Sequence, residues 1–256
     1  MSQGVNTQES LRPLLELDGV PEAVSAARAA IDEVHEHPVN RRGWHTTAAE
    51  ASVRAARASA AVAGGAAEIP GSGEVTEPLL AGALRVAEAS GPLLPTWQRA
   101  PLQALARLHV LAAADLVDDQ EQLGRPRQAP EVSPRLDLLA HIVADPTGKS
   151  ADAIPGPVRA AVVHGELLAL EPFGTADGVI ARAAGRLSVI SSGLDPKGLV
   201  VPEVAHFRRQ QEYAEAARGF ASGEAAGVAG WIQHCCSALE AGAREAKSIA
   251  DAAQEQ

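Results

Sequence analysis

The chain has 256 residues, 46% of them hydrophobic but only 3% aromatic, and carries a formal net charge of −10. That length buries one substantial core, which Ala, Val and Leu must fill; small side chains of this kind let helices approach closely. The acidity excludes nonspecific attraction to nucleic acid or anionic lipid, and no apolar run reaches the roughly 20 residues of a membrane span.

Residues 1–18 are polar and then Leu-rich, an arm or short helix, with no signal-like apolar stretch. Pro21 to about Glu36 reads as a helix with proline in its first turn. His35, His37 and His45 follow, without the Cys or carboxylate frame of a metal site, and read as surface or capping histidines. Thr46 or Thr47 is placed to cap a helix running to Val62, with Glu50 completing a capping box and Gly64-Gly65 ending it. Thr76 is placed to cap the next helix, which ends near Ser90-Gly91. Pro95 opens another helix that runs to about Asp119. The charged, Pro-containing stretch from Glu121 to Ser133 is a loop, and Leu136 to Val143 a short helix.

Gly148-Lys149-Ser150 matches the end of a phosphate-binding P-loop. Val143 stands where the first glycine belongs, and no strand precedes it, so this is a plain loop. Pro157–Leu170 and 178–190 are apolar helical segments. Ile180, Ala183, Ala184, Leu187 and Ile190 recur at helical spacing in the second. A short turn joins the two, so they form a central hairpin with the turn 171–177 as a candidate site. Asp177 stands where its carboxylate can cap the second helix. Gly193-Leu-Asp-Pro196 ends that helix, and Val201-Pro-Glu203 starts another running through Phe207 and Tyr213 to Phe220. The last helix spans Glu224 to about Ala250, with Trp231, Ile232, Cys235 and Leu239 on one face. Cys235 and Cys236 are adjacent, too close for a useful disulfide, which indicates a reducing, cytoplasmic setting. The pattern gives an all-α chain of eight to ten helices: an N-terminal arm and helix at 1–44, and one compact domain at 45–250.

The turn resembles the signature of the Fic family, His-Pro-Phe-x-Asp/Glu-Gly-Asn-Gly-Arg-x-x-Arg, which joins two central helices of a helical bundle. Pro172, Phe173, Gly178 and Arg182 match. Glu171 stands at the catalytic histidine and Thr175 at the metal-binding acid. Ala176 stands at the first glycine, Asp177 at the asparagine and Val179 at the first arginine. His164 lies upstream, as a histidine often does in the family, and Tyr213 through Leu239 resembles its closing helices. Ser59-Ala-Ala-Val-Ala63-Gly64 resembles the inhibitory motif Ser/Thr-x-x-x-Glu-Gly/Asn, whose glutamate pairs with the second arginine; here that position is Ala63. The resemblance covers about residues 45–245.

Active members of the family move AMP or another phosphate-containing group onto a protein hydroxyl. The histidine is the general base, backbone amides at a helix start hold phosphate, the acid holds Mg²⁺, and the arginines neutralise charge. Here Glu171 and Asp177 bring two carboxylates to the phosphate position. Unit charges about 4 Å apart repel by about 4 kcal/mol at an effective dielectric near 20. The residues therefore point to a degenerate Fic-like protein that acts through an unidentified protein or small-ligand partner and needs no cofactor. Phe173, Thr175, Asp177, Gly178 and Arg182 are the candidate ligand contacts. Three alternatives stand beside this: a divergent transferase using ATP and Mg²⁺ or another donor, a carboxylate pair that binds a cation or amine, and a structural interaction domain with no ligand. The resemblance also implies self-association, as a homodimer.

Overall fold

The computed structural model describes residues 10–144 and 154–255, and among these there is no strand. Eleven α-helices carry the fold: α1 Val20–Glu36, α2 Pro38–Arg42, α3 Trp44–Val62, α4 Pro78–Arg99, α5 Pro101–Ala113, α6 Val132–Ala144, α7 Gly156–Leu170, α8 Asp177–Ser191, α9 Pro202–Arg208, α10 Gln210–Ala221 and α11 Ala225–Gln254. The P-loop-like 148–150 and the first nine residues of the arm lie outside the described residues. No described helix is long and apolar enough to cross a membrane.

The α7–α8 hairpin is the centre. Both helices are buried on nearly every face: Val158, Ala161, Val163 and Leu167 in α7, and Val179, Ile180, Ala184 and Leu187 in α8. A helix that is apolar all round has no solvent side and must lie inside. Helices α3, α4 and α5 cover α8, whereas α1, α6, α10 and α11 cover α7. Each fully buried Leu or Ile contributes about 1.5–3 kcal/mol, so the hairpin anchors the main core. That core is continuous from Val20 and Ile31 in α1 to Leu239 in α11. Gly165 shows how closely the helices pack. A Cβ there would stand 2.7 Å from the Trp231 Nε1, which donates a hydrogen bond to the Ala161 carbonyl.

Several expected boundaries move. α4 does not stop at Ser90-Gly91. It runs through Pro92 and Pro95 to Arg99, and the break falls at Ala100. Interior prolines cost backbone hydrogen bonds, but completely buried Trp97 holds the last turn in the core. Its cap is Glu77 rather than Thr76: the carboxylate accepts from the N–H groups of Leu79 and Leu80, and from Ala66 as well. α3 starts at Trp44, so Thr47 lies inside it. The Thr47 hydroxyl donates to the buried Asn40 side chain instead of capping. The expected helix from Val201 to Phe220 is two, α9 and α10, parted at Arg209. With short α2, these breaks raise the helix count above ten.

Candidate functional site

α7 ends where Glu171 turns left-handed at φ 45° and its N–H bonds back to the Leu167 carbonyl. The carbonyls left open there are taken by one residue from the 121–133 loop. Arg127 donates from Nε to the Glu171 carbonyl at 2.7 Å and from its other guanidinium nitrogen to the Leu170 carbonyl at 2.8 Å. Its backbone N–H donates to Pro172. A cation at a helix C-terminus also meets the negative end of the helix dipole. Phe173 is buried and stacks on His109 at 4.3 Å. The His109 Nδ1 accepts the Gly124 N–H at 2.8 Å, so this ring joins the 121–133 loop to the hairpin turn.

The carboxylate of Asp177 is the hub of the turn. It accepts the Phe173 N–H at 3.0 Å on one oxygen and the Gly174 N–H at 2.6 Å on the other. Asp177 is therefore not the helix cap. Ala176 holds the N-cap position with no side-chain cap bond, and Asp177 is already the first helical residue. From there its side chain points back into the turn rather than forward to the helix amides. Burial pushes the Asp177 carboxyl up from 3.8 to about 6. The two amide bonds and Arg127 resist that rise, and nearby Glu171 adds to it. Ala176 sits at φ 55°, and Glu171 and Ala176 are the two left-handed non-glycine residues among those described.

The other signature positions scatter. Glu171 is exposed, Thr175 half-buried, and Val179 belongs to the core. Arg182 is 4% exposed, and its guanidinium lies 3.3 Å from where a Cβ on Gly178 would stand. The pairing of Glu171 with Arg182 or Arg186 that charge alone suggests does not form. Arg182 donates from Nε to the Ser59 hydroxyl and from a terminal nitrogen to the Ser59 carbonyl, both at 2.8 Å. The first residue of the inhibitory-like segment thus holds the second signature arginine, with no glutamate at Ala63. Ala63 is the C-cap of α3, and Gly64 follows at φ 90°.

A buried polar layer continues along α8. The other terminal nitrogen of Arg182 donates to the Tyr213 hydroxyl at 3.4 Å. The same hydroxyl lies 2.8 Å from His164 Nε2. The rings of His164 and His206 meet edge-on, and the His206 Nδ1 lies 3.2 Å from the His234 Nε2. Burial drives all three histidines toward the neutral form, with neighbouring charges adding to the effect; His234 falls to about 4. Burial raises both cysteine thiols, Cys236 to about 12, so these are inert core groups. Sequence reading noted His164 and Tyr213 but not that Arg182, His206 and Glu203 share their layer. His35 reaches Asp195 at 3.0 Å, and His37 reaches Asp251 at 3.1 Å. No group of three His, Cys, Asp or Glu placed to hold a metal ion occurs among the described residues.

The fold is that of Fic proteins. A Fic family protein from Desulfovibrio desulfuricans G20 superposes with a TM-score of 0.57 at 20% identity, covering 88% of this chain and 74% of that one. A Fic-1 fragment from C. elegans superposes with a TM-score of 0.67 at 16% identity, covering 98% of this chain and 80% of that one. Scanning against protein-family models and searching the curated proteins returned no match.

Proposed function

We propose that this Fic-fold chain does not transfer AMP, and that it works by binding a protein or small ligand. The observation that carries the reading is the Asp177 carboxylate seated on the Phe173 and Gly174 amides. Backbone N–H groups beside a helix start are what a phosphate would use, and here they serve the chain's own anion. Three further features support it. Glu171, at the position of the base, is solvent-exposed. Val179 offers no cation, and Arg182 already donates to Ser59 and Tyr213. The donor set does not fit ATP and Mg²⁺: Thr175 stands where a metal-binding acid is needed, and the nearest carboxylate is committed to the turn. No transfer step is assigned.

One observation favours a divergent transferase instead. A carboxyl raised to about 6, like that of Asp177, lies in the range useful for proton transfer near neutral pH. Incubation with α-labelled ATP and Mg²⁺ separates the readings. The proposal expects no label on the chain or on added proteins. Transfer that survives Glu171→Ala but is lost in Asp177→Asn would establish the second reading.

A further inference from the structure

Two cavities flank α8 away from the hairpin turn. One, about 40 Å³, lies among α7, α8, α9 and α11, and the other, about 30 Å³, opens toward α3 and α4. Arg186 and Glu203 line both, so together they form the partition. Glu203 is 3% exposed, and its Oε2 accepts no hydrogen bond. The nearest cationic nitrogen, on Arg186, is 3.6 Å away, and that guanidinium donates to the Val200 and Gly198 carbonyls instead. A buried carboxylate oxygen without a donor is costly, and folded proteins satisfy such atoms with water or ligand.

We propose that the larger cavity binds a small neutral molecule with a hydroxyl or amide N–H head and a short branched aliphatic tail. The head donates to Glu203 Oε2, and the tail packs on Ala160, Val189 and Leu239, which wall the same space. Neutrality follows from the charges already present. Arg182 and Arg186 face Asp195 and Glu203 around the cavity; burial keeps His164 and His206 neutral and raises the Glu203 carboxyl, against the pull of Arg186. An added cation meets two guanidinium groups, and an added anion meets two carboxylates. Size sets the rest: a cavity of about 40 Å³ admits about three waters or about four linked heavy atoms. The α7 and α8 walls run from Pro157 to His164 and from Arg182 to Ile190, so the cavity lies beyond the hairpin turn and shares Arg182 with the layer described above. No wall of this cavity belongs to the 171–177 turn, so its test reads separately from the ATP test of the function proposed there.

The test uses the full chain with labelled methyl groups, titrated in solution with 2-propanol, isopropylammonium and acetate, each of four heavy atoms. Saturable shifts of the Val189 and Leu239 methyls with 2-propanol are expected, with both ions at least about tenfold weaker. Glu203→Met removes the acceptor at similar length and is expected to weaken 2-propanol by about tenfold or more. Ala160→Leu fills the space while leaving Glu203 in place, and is expected to abolish the shifts with the helical circular dichroism retained. Unsaturated or absent methyl shifts with 2-propanol, or an ion that binds as tightly as the alcohol, overturn the proposal. So do shifts that persist unchanged in folded Glu203→Met or Ala160→Leu protein.

Discussion

Two polar regions lie along α8, and they are built on opposite plans. At its start, the turn 171–176 is strained and its acidic hub is local: two left-handed non-glycine residues, and a carboxylate bound to the turn's own amides, with Arg127 clamping the carbonyls at its edge. From Arg182 onward the polar groups reach across the fold instead, to Ser59 in α3, Tyr213 in α10 and Glu203 in α9. The Asp177 carboxylate serves only the turn, so removing it leaves the Arg127 and His109 contacts that tie the turn to the fold. Long-range contacts make the layer part of the packing between helices. The two regions differ in what their polar groups bind: the turn's own amides in one, side chains and carbonyls of other helices in the other.

The sharpest way to break the comparison is Arg182→Ala. It strands the buried Ser59 and Tyr213 groups, so a loss of about 3 kcal/mol or more is expected in urea unfolding. Asp177→Ala, which strands the buried Phe173 amide and the partly buried Gly174 amide, is expected to cost less, about 2 kcal/mol. Equal losses would erase the distinction between the regions.

Acid acts on Asp177 and on the layer histidines with opposite sign. Folding raises the Asp177 carboxyl from 3.8 to about 6, so between these values the folded chain holds a proton that the unfolded chain releases. Its contribution to stability therefore grows as pH falls from about 6 to about 4. His234 does the reverse: its folded value is about 4 against 6.5, so the unfolded chain takes the proton first, and stability is lost as pH falls from 6.5. His164 and His206 act in the same direction as His234. His109 is lowered by burial as well and Glu203 is raised, so four histidines stand against two carboxyls, and net stability is expected to drop below pH 6.5. In a series of urea midpoints against pH, Asp177→Asn should steepen that drop, and His234→Asn should flatten it. The opposite ordering would put the titrating groups elsewhere.

The smallest effects concern strain. Glu171→Gly and Ala176→Gly each relieve a left-handed backbone, and each is expected to stabilise by about 0.5–1 kcal/mol. The thermal midpoint of the double variant should show the sum; no gain would mean that the turn relaxes in solution.

The hairpin was legible because its apolar residues recur at helical period on all faces, which leaves only a central position. The family frame was legible from Pro172, Phe173, Gly178 and Arg182. The chemistry of the turn was less so. Spacing alone placed Asp177 as a cap, because a cap and a first helical residue differ by one position. That position decides whether the carboxylate faces the helix amides or the turn. Arg127 lies 44 residues before Glu171, and Ser59 lies 123 before Arg182. Contacts over such separations leave no local pattern. The continuity of α4 through two prolines depended on burying Trp97, which propensity does not see.

The central claim is that the amides a phosphate would need are already held by Asp177. It is tested most directly by following the Phe173 and Gly174 amide resonances while ATP and Mg²⁺ are added. The account predicts that both stay fixed at neutral pH, up to millimolar nucleotide. A saturable shift of both, with Asp177 released from them, would contradict it.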